Sequence, residues 1–137
     1  MNVMEKKLLN GGIIKVSDVM VENIISVPPN VLVSDAAEAM LKNSISSVVV
    51  KKDDKIIGIV TDKDFVRLAY HGGNPKGVAG LMSTNLITIP PSSDLFDAFK
   101  LMKKKNVRHL LVKENDKIVG IISQKDVIRG IAAMLLM

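Results

Sequence analysis

The sequence predicts a mixed α/β (α+β) fold built twice in one chain. Residues 16–70 align with residues 78–132 at a constant offset of 62 without a gap, and 20 of the 55 aligned positions are identical. Apolar spacing within each copy alternates between the two-residue period of strands and the three-and-four spacing of helices, giving the order strand, helix, strand, strand, helix. The chain has 137 residues, so each copy has roughly 60 with which to make a core, and a unit of that size buries only about 60% of its unfolded surface. The copies are therefore expected to pair through their sheets with pseudo-twofold symmetry, helices covering the other side of each sheet. A cleft between them is the natural place for a ligand.

Residues 1–15 read as an N-terminal extension, with a short helix over Glu5 to Leu9 set off by Gly11-Gly12. The first copy (16–70) opens with Val16-Ser-Asp-Val-Met20 and a strand over Ile24 to Val27 that Pro28-Pro29 must end, because proline lacks the amide donor a ladder needs. Ser34 and Asp35 offer caps for a helix through about Lys42, with Ala36, Ala39 and Met40 on its apolar side. Ser47 to Val50 and Ile56 to Val60 are β-branched and joined across Lys51-Lys-Asp-Asp-Lys55, a hairpin pattern. A second helix runs from about Lys63 to Ala69 behind Thr61 or Asp62. The linker 71–77 is glycine, asparagine and proline with nothing to bury, and His71 is expected to be solvated there.

The second copy (78–137) follows the same plan. Leu86 to Ile89 is its first strand, ended by Pro90-Pro91; Asp94 to Met102 is a helix with Leu95, Ala98, Phe99 and Met102 inward; Leu110 to Val112 and Ile118 to Ile122 form the hairpin. The last helix starts near Lys125 and ends in an apolar tail, Ile131, Met134, Leu135, Leu136 and Met137, which needs a partner.

Composition narrows the function classes. Cysteine is absent, which removes disulfides, a catalytic thiol and thiolate metal sites, and fits the cytoplasm. No run approaches the roughly 18 apolar residues of a membrane span, and the N-terminus lacks the apolar core of a signal peptide. The two histidines have no metal-ligand spacing, no serine has a histidine at motif spacing, and no Gly-rich phosphate loop of standard type occurs. An enzyme is not expected. The net charge of +5 favours anionic partners. Tyr70 is the only tyrosine, and Phe65, Phe96 and Phe99 fall at apolar helix positions, which argues against nucleic acid although Lys103 to Arg108 supplies cations.

Chemistry concentrates in Gly58-Ile-Val-Thr-Asp-Lys-Asp64 and its repeat Gly120-Ile-Ile-Ser-Gln-Lys-Asp126. Each is a glycine on a strand, a β-branched pair led by Ile59 or Ile121, a hydroxyl, and a carboxylate three residues on, in the first turn of a helix. Glycine admits close approach by a neighbouring group; the carboxylate can accept two hydrogen bonds from a vicinal diol such as a ribose. The same residues also make an ordinary helix cap, Thr61 or Ser123 with Asp64 or Asp126, and both readings stand at this point. Before the first hairpin strand the copies differ: Ile45-Ser46-Ser47 against Val107-Arg108-His109, a basic pair suited to a phosphate or simply a solvated continuation of Lys103-Lys-Lys105. Lys63 and Lys125 are cations at helix starts, where the dipole disfavours them, and this points to a role.

The chain from Val16 to Ala132 resembles a tandem pair of CBS domains, a Bateman module. The resemblance rests on the Val-x-x-x-Met openings at Val16/Met20 and Val78/Met82, the proline after each first strand, the strand pair, and the Gly-h-h-Thr/Ser-x-x-Asp endings. It implies two clefts that bind adenosyl compounds, AMP, ADP, ATP or S-adenosylmethionine, with Asp64 and Asp126 on the ribose hydroxyls beside Thr61 and Ser123. It implies mixed clefts, with Thr61 and Asp64 sharing one with Val107, Arg108, His109 and Lys125, and Ser123 and Asp126 sharing the other with Ile45, Ser46, Ser47 and Lys63. Val16 and Val78 fall where the family's adenine-contacting backbone lies. The implied function is that of a homodimeric, non-catalytic nucleotide sensor acting on a partner protein, with Ala36, Met40, Phe99 and Met102 available to a dimer contact or to the local core. The alternative is a structural or dimerising module without a nucleotide.

Overall fold

The computed structural model describes residues 12–136; the helix expected over Glu5 to Leu9, and Met137, lie outside them. The elements are α1 (Val16–Val19), β1 (Ser26–Val27), α2 (Val33–Asn43), β2 (Ser47–Lys52), β3 (Lys55–Thr61), α3 (Asp62–His71), a 3-10 turn (Val78–Gly80), β4 (Thr88–Ile89), α4 (Leu95–Lys105), β5 (His109–Glu114), β6 (Lys117–Ser123) and α5 (Gln124–Leu136). From β1 and from β4 the predicted order, strand, helix, strand, strand, helix, is present twice, and the fold is α+β with two three-stranded sheets among the described residues.

The repetition extends to register. β1 runs parallel to β2, pairing Ser26 with Val49, and β4 parallel to β5, pairing Thr88 with Leu111. In the hairpins Ser47 faces Thr61 and His109 faces Ser123, with an irregularity after Val50 and after Val112. The turns are two residues long, Asp53-Asp54 with φ of 51° and 61° and Asn115-Asp116 with φ of 50° and 63°. Positive φ at both central positions gives the backbone twist that matches flanking strands, and Asp and Asn tolerate it better than most residues.

The first strands are shorter than the sequence reading: only Ser26–Val27 and Thr88–Ile89 join a ladder. The opening Val16-Ser-Asp-Val, to which the sequence reading assigned no element, is a short helix. His71 is the last residue of α3, its exposed ring edge-on to Tyr70 at 4.9 Å, and Gly72 at φ 77° follows it. Neither Ser34 nor Asp35 caps α2. The cap position is Leu32, which makes no side-chain cap bond, whereas its counterpart Asp94 accepts the Phe96 N–H at 2.7 Å. Phe96 departs from its expected apolar position and is 45% exposed.

Compactness divides the chain differently from the repeat. One unit is the contiguous segment Ile24–Leu86; the other combines the described residues up to Asn23 with those from Ile87 on. Each unit therefore holds the body of one copy and the leading segment of the other. The docking is the same in both: Val16 N–H bonds the Ser93 carbonyl at 2.8 Å and Ser17 N–H that of Pro91 at 3.0 Å, while Val78 N–H bonds that of Val31 at 2.9 Å and Ala79 N–H that of Pro29 at 3.0 Å.

The contiguous unit has a core of Val27, Ala36, Met40, Val48, Val50, Val60 and Val78. The discontinuous unit has Ile14, Val16, Ile89, Leu95, Ala98, Met102, Leu110, Val112, Ile122 and Val127. Val16 and Val78, both fully buried, thus complete the core of the opposite copy. Side chains such as these contribute about 1.5–3 kcal/mol each on full burial. Ala36, Met40 and Met102 serve these local cores, and Phe99 packs against one. The apolar tail splits: Ile131 and Met134 pack on the core of their own unit, and Leu135 and Leu136 are 83% and 87% exposed.

Candidate functional site

Each hairpin ends at the chemistry-bearing segment, because β3 and β6 run directly into α3 and α5. At the first junction Thr61 caps α3: its N–H donates to Asp64 Oδ2 at 2.8 Å and its hydroxyl approaches the same oxygen at 3.3 Å. The other oxygen, Oδ1, meets the Arg67 guanidinium at 3.4 Å, and the Asp64 side chain is 14% exposed. At the second junction Ser123 donates from N–H and from its hydroxyl to Asp126 Oδ2, both at 2.9 Å, and its hydroxyl accepts the Asp126 N–H at 3.2 Å. These reciprocal bonds satisfy amide donors that a helix start leaves unpaired. Capping is therefore a real role of both carboxylates. It uses Oδ2 in each, and Oδ1 of Asp126 accepts none of these bonds.

The strand glycines have a structural reason. A Cβ on Gly58 would fall 2.5 Å from Met82 Sδ, and one on Gly120 would fall 2.7 Å from Met20 Sδ and 3.1 Å from the Val21 carbonyl oxygen. The neighbour whose close approach they admit is the methionine of a leading segment. Beside it, Ile59 exchanges backbone bonds with Ser83 at 3.0 and 2.9 Å, and Ile121 with Val21 at 3.0 and 2.8 Å. The leading segments thus cover the outer edges of β3 and β6, which would otherwise present unpaired amides.

The remaining site residues fall as follows. Ser47 is buried opposite Thr61, the Ser46 carbonyl accepts the Asp62 N–H at 3.0 Å, and Ile45 packs against the core. Correspondingly His109 faces Ser123, the Arg108 carbonyl accepts the Gln124 N–H at 2.8 Å, and Val107 packs inward. Lys63 and Lys125 are exposed one residue before the carboxylates. Val16 and Val78 use both backbone groups internally, donating to Ser93 and Val31 and accepting from Met20 and from Leu81 and Met82. The structure brings Ser46, Ser47, Thr61 and Asp64 together at one hairpin end, and Arg108, His109, Ser123 and Asp126 at the other. Thr61 and Asp64 belong to one unit and Arg108 and His109 to the other.

Two participants escaped the sequence reading, the Arg67 contact and the methionines over the glycines. The repeat itself carried their signal, since Arg67/Arg129 and Met20/Met82 are identities across the offset. Among the described residues no group of three or more acidic or histidine side chains could hold a metal, and no helix is long and apolar enough to cross a membrane.

A duplicated α+β unit whose strand-to-helix junction carries a hydroxyl and a carboxylate defines a class of small tandem-repeat modules. The chain belongs to the CBS domain family: residues 16–71 and 78–133 each match the CBS domain. It is 34% identical over 121 residues to an uncharacterized protein of Methanocaldococcus jannaschii, covering 87% of this chain but only 40% of that protein. A solved structure of an uncharacterized conserved protein from Pyrococcus horikoshii is similar with a TM-score of 0.77 at 29% identity, over 84% of this chain and 89% of that one. The structure of CBSX2 in complex with AMP has a TM-score of 0.75 at 25% identity, over 86% and 96% of the two chains.

Proposed function

We propose that this chain is a non-catalytic regulatory module that binds an adenine nucleotide, AMP, ADP or ATP, and thereby modulates a partner protein. The observation that carries the reading is the pair of junction carboxylates, Asp64 and Asp126, each fixed by a cap bond through Oδ2. A carboxylate oriented in advance by the backbone can receive a ribose diol on its other oxygen without ordering a flexible side chain first. The similarity to CBSX2, solved with AMP, supports adenosine as the recognised moiety. Arg108 and His109 supply the charge for a phosphate, with Lys63 and Lys125 as further cations; Ser46 and Ser47 suit an uncharged group. S-adenosylmethionine is the alternative ligand. The module is a homodimer in this reading, joined through the exposed apolar residues of α3 and α5, Val66, Tyr70, Ile128 and Leu135.

A thermal-shift series with AMP, ADP, ATP and S-adenosylmethionine tests the proposal, because a ligand bound only by the native state raises stability by RT ln(1 + [L]/Kd). At a hundredfold excess over Kd the gain is about 2.7 kcal/mol. The expected result is a concentration-dependent rise with at least one nucleotide. No shift at millimolar concentrations favours the second reading, a dimerising module without nucleotide, which the capping role of both carboxylates and the exposed helix faces support.

A further inference from the structure

We infer that Met20 and Met82 are paired oxidation sites whose conversion to the sulfoxide releases the leading segments from the sheet edges. The two residues occupy equivalent positions at the repeat offset. Both are half-buried, while Met40 and Met102 lie in the cores at 7% and 2% exposure. Each sulfur packs over a strand glycine so closely that no Cβ fits between them, Met82 over Gly58 and Met20 over Gly120. Each also adjoins the one residue that ties its segment to the strand edge: Ser83 pairs with Ile59, and Val21 with Ile121.

The reaction is an oxygen transfer. The thioether sulfur attacks one oxygen of a peroxide, the O–O bond breaks, and the products are the sulfoxide and water. Methionine is oxidised, peroxide is reduced, and a sulfoxide reductase reverses the change. The product carries a polar S=O where the sulfur had faced the strand glycine. Its oxygen needs room that the strand backbone does not leave, and it needs a hydrogen-bond donor. Turning outward satisfies both needs and lifts the segment, and the Ile59–Ser83 and Ile121–Val21 bonds open. Three residues further along β3 and β6 stand the capped carboxylates' helices, so loosening begins beside the candidate site. Met134, half-buried on α5 with no bridge beside it, is the internal comparator.

The full-length protein is titrated with hydrogen peroxide, sulfoxides are located by peptide mass mapping, and amide hydrogen exchange is followed. The expected result is sulfoxide at Met20 and Met82 before Met40 and Met102, with exchange at the Ile59 and Ile121 amides accelerated more than about tenfold while that of Val50 and Val112 is retained. Met20→Leu/Met82→Leu should abolish the acceleration even though Met134 still oxidises, and Met82→Gln should accelerate Ile59 without peroxide. Oxidation of both residues with unchanged exchange at Ile59 and Ile121 overturns the inference. So does equal loss of protection throughout both hairpins, or acceleration that persists in the double leucine variant.

Discussion

Removing one guanidinium should strengthen binding at one of the two carboxylates and leave the other alone. Asp64 offers its Oδ1 to Arg67 at 3.4 Å, whereas Arg129, the counterpart three residues after Asp126, makes no such contact among the described residues. A ribose diol arriving at Asp64 must displace Arg67; one arriving at Asp126 meets an open oxygen. The Arg67 side chain is 59% exposed, so the pair is screened by solvent and worth at most about 1 kcal/mol, or roughly a fivefold difference in Kd. Adenosine is the right probe, because it has the diol without a phosphate that Arg67 itself could attract. Calorimetric titration of wild type should give two classes of site, the tighter removed by Asp126→Ala. In that background Arg67→Ala should tighten the remaining site about two- to fivefold. Weaker or unchanged binding after Arg67→Ala would refute the competition argument. Absence of any adenosine or AMP binding to wild type would instead refute the nucleotide reading itself.

Further outcomes follow from packing and caps. Gly120→Ala should cost about 1–3 kcal/mol in urea denaturation followed by circular dichroism, because the new methyl meets a backbone oxygen as well as a side chain. The three atoms nearest a Cβ on Gly58 all belong to Met82, so adding Met82→Ala should recover much of the loss in Gly58→Ala, whereas Met20→Ala should rescue Gly120→Ala less; equal rescue contradicts the geometry. Asp94→Ala should destabilise by about 0.5–2 kcal/mol through the lost Phe96 N–H bond, while Leu32→Ala at the uncapped counterpart removes no such bond, a contrast measurable in the same assay. In the proposed homodimer, Ile128→Glu and Val66→Glu together should shift light-scattering mass from dimer to monomer without changing the far-ultraviolet spectrum; an unchanged mass removes α3 and α5 from the proposed interface.

What the sequence disclosed was periodic, and what it concealed was non-local. Hairpins, caps at Thr61 and Ser123, and the helix order were readable because each depends on residues within a few positions of one another, and the offset of 62 confirmed each twice. The helix cap at Leu32 was not, since nothing about a leucine announces a cap; the backbone there, φ −62° and ψ 144°, matches that of Asp94 at −65° and 146°. Only the second copy reveals where the first one begins its helix. The docking of Val16 on the opposite copy was also hidden, because two similar sequences offer two equally apolar grooves and no local rule chooses between them. The glycines were correctly singled out, but their neighbour is a methionine from the chain itself. For the carboxylates, the structure shows the capping role, through Oδ2, and leaves Oδ1 of Asp126 outside the cap as the acceptor that the proposed diol would use.

The exchange of leading segments gives the two units different histories during synthesis. Everything the contiguous unit needs lies between Ile24 and Leu86, so it can close as soon as that stretch has left the ribosome. The other unit contains both early and late parts of the chain. Ile14 and Val16 precede the contiguous unit in the chain, yet the strands and helices they complete follow it. Two apolar side chains must therefore wait while the whole intervening unit is made. A pause or truncation after Leu86 would therefore leave one finished unit with an unclaimed hydrophobic arm, which is the kind of exposed segment that chaperones and a second nascent copy both recognise.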